Sequence, residues 1–153
     1  MKKNKLFPGQ TNGDALLPKL EEPMAAYLSY PSVKKIQATI ANFNYQNFEQ
    51  VAQKVPFSQQ DWAKVLHLSE RTLQRYSKDN KNFEGIYADR ILQIDKIFVL
   101  GLSVFNSANA LYQWLQTPKQ VMGQLLDFDS LAYTDGIRMV LDQLGRIEQG
   151  VYA

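Results

Sequence analysis

The 20 residues from Phe57 to Tyr76 constrain the fold more than any other stretch of this chain. Ser58 stands three residues before Asp61, a weaker form of the capping box that usually ends in Glu or Gln. Phe57 and Trp62 flank it at the two positions of a hydrophobic staple, so a helix begins here and runs through Ala63, Val65 and Leu66. His67-Leu68 breaks it. Ser69 then caps a second helix, with Leu68 and Leu73 again at the staple positions. This helix buries Leu73 and Tyr76 and leaves Glu70, Arg71, Gln74, Arg75, Ser77 and Lys78 outside, with Thr72 near the boundary. Two short helices across a three-residue turn have the shape of a helix-turn-helix. A major groove admits one α-helix, in which Arg reads guanine and Gln reads adenine by paired hydrogen bonds, while Lys and Ser reach phosphate. The first turn of the second helix also offers free N–H groups to phosphate. A second reading stays open: a solvated hairpin of helices, since Arg and Gln are also good surface helix formers.

The remainder also reads as helix, so the expected fold class is all-α. Residues 1–31 hold four of the six prolines and show no sustained period, which reads as a flexible arm. Ser32 is placed to cap a helix carrying Val33, Ile36 and Ile40. After a break at Asn42 to Asn44, Tyr45, Phe48, Val51, Ala52 and Val55 recur at helical steps up to Pro56. From Asp89 to Phe105 apolar residues fall on nearly every side, as in a helix buried from several directions or one with a partner surface. Ser107 caps a helix with Ala110, Leu111, Trp114 and Leu115, which Pro118 stops. A short turn at Gln120 to Gly123 follows, and Asp127 and Asp129 read as turn and cap residues for a helix near Leu131. Thr134 is the expected cap of the last helix, with Ile137, Val140, Leu141, Leu144 and Ile147 as one stripe and Gly150 at its αL end.

Charge is uneven along the chain. Residues 54–81 carry six basic side chains against three acidic ones, and residues 82–153 carry five against eight. The middle suits a polyanion and the C-terminal part suits a protein. There is no cysteine, which removes disulfides, zinc–thiolate sites and cysteine nucleophiles. The single histidine, His67, has no Asp or Glu at metal spacing, so neither a metal nor a cofactor is expected. No Gly-rich phosphate loop and no nucleophile–base set is visible, so no catalytic residue is assigned. No apolar run reaches the length of a membrane span, and Leu6-Phe7 before Pro8-Gly9 is too short for a signal segment, so a cytoplasmic location is expected.

The segment Phe57 to Tyr76 is similar to the Xre-type helix-turn-helix, and its Ser69-x-Arg71-Thr72-Leu73-Gln74-Arg75 core is close to one branch of it. That branch continues with Asp-Arg-Ile-Leu, here Asp89 to Leu92, and Trp-Leu-x-x-Pro, here Trp114 to Pro118. It ends on a pattern matched by Gly136, Val140, Leu144, Arg146-Ile147 and Gly150-Val151. Over residues 57–153 the chain therefore resembles the Xre/MbcA/ParS antitoxins that pair with RES-domain toxins.

The resemblance implies a component of a type II toxin–antitoxin system. Its partners would be a NAD-consuming RES-domain toxin, operator DNA and a second copy of itself, with no membrane. It implies a helix-turn-helix DNA-binding and dimerisation domain over residues 32–84 and a toxin-binding domain over 85–153. Carried over residue by residue, Ser69, Arg71, Thr72, Gln74, Arg75 and Lys78 would face DNA. Trp114, Leu115, Gly136, Arg146, Gly150, Val151 and Tyr152 would belong to the toxin-binding part, although Trp114 also reads as core and Arg146 as an ion-pair partner of Asp142 or Glu148. Two positions depart from the family pattern. His67 stands where such turns usually carry glycine, and Gln124-Leu125-Leu126-Asp127 lacks a proline that commonly precedes Leu-Asp. The alternative is a stand-alone helix-turn-helix regulator whose C-terminal part only oligomerises.

Overall fold

The computed structural model describes residues 33–150. The expected arm over 1–31, the expected cap Ser32 and the tail residues Val151, Tyr152 and Ala153 lie outside the described residues. The first helix, α1, is Val33–Ala41. From Gln37 onwards the described residues pack as one compact unit.

Helix α2, Tyr45–Ala52, starts from a reciprocal capping box between Asn44 and Asn47 and buries Phe48 and Val51. Val55 is buried just beyond its end. Helix α3 spans Gln59–Leu66 and helix α4 spans Glu70–Asp79, three residues apart as expected. Ser58 and Asp61 form a complete capping box, so the shorter Asp serves where Glu is usual. The Phe57 and Trp62 rings lie 5.0 Å apart, which makes the staple real.

Helix α5, Gly85–Val104, runs through the middle, with Ala88, Ile91, Ile94 and Ile97 fully buried. Its last turns differ: Val99, Leu100 and Leu102 stand exposed. The reading of a helix buried from several directions holds for its first part, and the last turns leave apolar side chains open. Helix α6, Ala108–Gln116, is capped by Ser107, whose Oγ accepts from Ala110 N.

Next comes the two-stranded sheet of the described residues. Strands β1, Lys119–Val121, and β2, Gln124–Leu126, pair antiparallel, with Val121 opposite Gln124. The residues read as a turn are therefore the tip of a hairpin. Its two turn residues, Met122 (φ 51°) and Gly123 (φ 78°), both have positive φ, as a type I′ turn requires. Asn-Gly would have announced such a turn; Met-Gly hides it.

A 3₁₀ helix, Phe128–Ala132, follows, with Asp127 as its cap as the sequence suggested. Helix α7 is Thr134–Glu148. Thr134 is its first residue rather than its cap; Tyr133 holds the cap position and makes no side-chain cap bond. Ile137, Val140 and Leu144 are buried, and Leu141 and Ile147 are half-buried, so the stripe faces inward.

The core is aromatic at the helix-turn-helix end and aliphatic at the other. Phe83 packs 4.8 Å from Tyr76 and 5.4 Å from Phe48 between ring centroids. Leu111, Leu115, Leu126, Leu131 and Leu144 fill the other end. Phe57 joins the two, with its ring 5.5 Å from Phe98 and 5.0 Å from Phe128.

Candidate nucleic-acid interface

Three features hold α4 in place. Its N-terminus is capped by Ser69, whose Oγ accepts from Thr72 N at 3.0 Å, a bond worth about 1 kcal/mol. Its inner face buries Leu73 and Tyr76. Its C-terminus ends on Asn80 in the αL conformation (φ 43°), and the Asn80 carboxamide oxygen accepts from Gln46 N at 3.1 Å. Lys81 O accepts from Tyr45 N at 3.0 Å, so the end of α4 is fastened to the start of α2.

The outer face is the one expected from sequence. Arg71, Gln74, Arg75 and Lys78 are all exposed. At 3.6 residues per turn they fall within about 100° of arc, opposite Leu73 and Tyr76. Ser69 and Thr72 are engaged locally: their hydroxyls lie 2.8 Å apart in the cap. They shape the helix start, which leaves Arg71, Gln74, Arg75 and Lys78 as the open outer stripe.

The cations of the basic segment divide into two groups. Lys54 pairs with Asp95 at 2.8 Å, and Lys64 pairs with Asp129. The Asp129 carboxylate, through that hydrogen bond, holds the Lys64 ammonium above its usual range. Lys81 lies over the Tyr76 ring at 5.1 Å. By contrast, Arg71, Arg75 and Lys78 form no ion pair among the described residues. Three unpaired cations at four- and three-residue steps present one sign of charge along one helical edge. Such an edge matches a line of phosphates better than any single carboxylate.

The turn is unusual. His67 sits in the αL region (φ 54°, ψ 36°), at about 1–2 kcal/mol for a residue with a Cβ. Its Nε2 lies 3.0 Å from the Ala132 carbonyl, which fixes Nε2–H as the donor, and its ring packs 5.6 Å from Tyr133. The same edge of α3 is tied down twice more. The Tyr112 hydroxyl donates to Asp61 Oδ2 at 2.9 Å, and Lys64 reaches Asp129. Burial, then this Asp61 contact, raises the Tyr112 phenol above its ordinary pKa. Sequence spacing gave no sign of these ties, because each joins positions more than fifty residues apart.

The second candidate set is spread through the fold. Leu115 is buried and Gly136 is buried, so neither offers a surface. A Cβ on Gly136 would lie 2.0 Å from Ser130 O; only glycine lets α7 start against the 3₁₀ helix. Trp114 is half-buried, 5.5 Å from the Phe105 ring, with the Lys119 ammonium 4.2 Å above it. Burial lowers the Lys119 pKa, and the ammonium donates to the Trp114 and Thr117 carbonyls at the end of α6. Gly150 is exposed with φ 72°, as an αL helix end requires. Val151 and Tyr152 lie outside the described residues. The ion pair expected for Arg146 is not formed: its Nη2 lies 3.1 Å from Met122 Sδ, and Glu148 accepts from Ser103 instead.

Among the described residues no three His, Cys, Asp or Glu side chains gather as a metal site, and no single helix is long and apolar enough to cross a membrane.

Residues 46–94 match the family described as the antitoxin Xre-like helix-turn-helix domain. The match runs from α2 through α4 and into α5, so this segment is an Xre-like helix-turn-helix domain. It supports an antitoxin or a DNA-binding regulator. No curated protein matches the chain.

Proposed function

We propose that this protein is the antitoxin of a type II toxin–antitoxin pair. Through α4 it binds its own operator as a dimer. Through its C-terminal part it binds a NAD-consuming RES-domain toxin and covers the approach to that enzyme's active site. On this reading it works in the cytoplasm, where operon and toxin meet, and it turns over no substrate itself.

The observation that carries the proposal is the unpaired stripe of Arg71, Gln74, Arg75 and Lys78 inside a segment matching an antitoxin domain. Dimerisation follows from what DNA reading demands. One recognition helix grips duplex weakly, and two linked helices, about 34 Å apart, read an inverted repeat far more tightly. The exposed Val99, Leu100 and Leu102 on α5 supply apolar surface for self-association. The acidic balance after residue 81 favours a protein rather than a nucleic acid for the rest of the surface.

Two assays in parallel test the reading: gel shift of a duplex from the chain's own promoter, and rescue of growth from a co-expressed RES-domain toxin. Both should succeed. Arg71→Ala with Arg75→Ala should remove the shift and keep the rescue. Loss of two base-reading contacts, each worth about 1–3 kcal/mol, lowers affinity at least about 30-fold. The match ends at residue 94 and apolar α5 residues are exposed beyond it, which favours a second reading: a regulator whose C-terminal part only oligomerises. A promoter shift without rescue selects that one.

A further inference from the structure

We infer that the β1–β2 hairpin tip and the adjoining face of α7 form the surface on which the protein partner docks. The inference rests on the antitoxin reading and deepens it. It falls outside the segment matched to the antitoxin family, and of the residues that carry it the resemblance pointed only to Arg146 as part of a toxin-binding set.

The tip is an unusual place for its residues. Met122 stands 74% exposed and Leu125 55% exposed. Met122 also holds a positive φ at which glycine is easier, so the fold keeps an apolar, unbranched side chain there against both solvent and backbone preference. Flexible thioether chains recur at surfaces that accept another protein. Beside the tip lies an open cleft of about 380 Å³, lined by Met122, Gln124, Met139, Asp142 and Arg146 among others.

The charges of this cleft describe the occupant. Asp142 and Arg146 are one turn apart on α7, the spacing at which an acid and a base on a helix pair readily. They do not pair. Arg146 reaches for Met122 Sδ, a weak acceptor, and Asp142 forms no ion pair among the described residues. An acid and a base side by side, neither in an ion pair among the described residues, suit neither a polyanion nor a lipid surface. They suit a protein segment that sets a carboxylate against Arg146, a cation against Asp142 and an apolar side chain between Met122 and Met139.

The test uses the full-length chain and a purified RES-domain toxin in calorimetric titration, with light scattering for mass. Met122→Gly removes the thioether and suits the φ, so its melting temperature should equal or exceed that of wild type. Its affinity for the toxin should fall about 10-fold or more. Arg146→Gln should weaken binding in the same direction. If both variants bind the toxin as wild type does, or if they lose dimer mass while keeping toxin affinity, the surface is misassigned. If wild type itself fails to bind the toxin, the antitoxin reading falls and takes this inference with it.

Discussion

Of the three side-chain residues held in left-handed backbone among the described residues, His67 and Met122 behave in opposite ways. His67, between α3 and α4, lays its ring against Tyr133 and repays part of the strain through a 3.0 Å bond to the Ala132 carbonyl. Met122, at the hairpin tip, projects into solvent and finds only a thioether contact with Arg146. The first turn is built to stay as it is. The second stores an unmet preference at the surface. The neighbouring charges agree with this contrast. Beside His67 the exposed stripe of α4 carries cations of one sign, and beside Met122 α7 carries an unpaired acid and an unpaired base. A rigid frame with uniform charge suits a regular polyanion, whereas a strained apolar tip with mixed charge suits one particular protein surface.

Substitutions that separate support from contact sharpen this comparison. The largest stability effect is expected at Gly136, which belongs to support. Its added Cβ would meet Ser130 backbone, so Gly136→Ala should lose about 3 kcal/mol in urea unfolding. Operator and toxin binding should then fall together, because α7 and the 3₁₀ helix hold both ends.

At His67 the size of the loss depends on the replacement. His67→Ala keeps the left-handed strain and removes the tie to Ala132, a loss of about 1–2 kcal/mol. His67→Gly removes the tie and the strain together, so stability should stay within about 0.5 kcal/mol of wild type. Equal losses in the two variants, read from thermal melts, would show that the ring's bond rather than its backbone sets the balance.

The smallest effect is at Tyr112. Tyr112→Phe deletes one hydrogen bond to Asp61, about 1 kcal/mol. Folding raises the phenol pKa, so its contribution is complete below pH 10.0 and is lost as pH climbs through the higher folded value. Wild type should therefore lose stability in that alkaline window, and the Phe variant should lose less of it. Melting curves on both sides of pH 10.0 decide this.

What sequence revealed follows from the range of the interactions. Caps and staples act over three to five residues, so Ser58, Asp61, Ser69 and the Phe57–Trp62 pair were readable, and with them α3, α4 and the outward stripe. The hairpin was not readable, since three-residue strands show no alternation and Met occupies the position where Asn usually signals the turn. The ties Asp61–Tyr112, Lys64–Asp129 and His67–Ala132 join distant segments and exist only once the core has formed. Arg146 was noticed, but its partner was misjudged, because the nearest carboxylate in sequence lost to a residue on the hairpin.

The account stands on two separate binding faces in one chain, and a crossed comparison of two variants tests that most directly. Promoter-duplex affinity and toxin neutralisation would be measured for the Arg71→Ala/Arg75→Ala protein and for Met122→Gly, with circular dichroism to establish that each is folded. The first should lose the duplex and neutralise the toxin; the second should bind the duplex and fail against the toxin. If either folded variant loses both activities, or if neither loses its own, two separate faces do not exist.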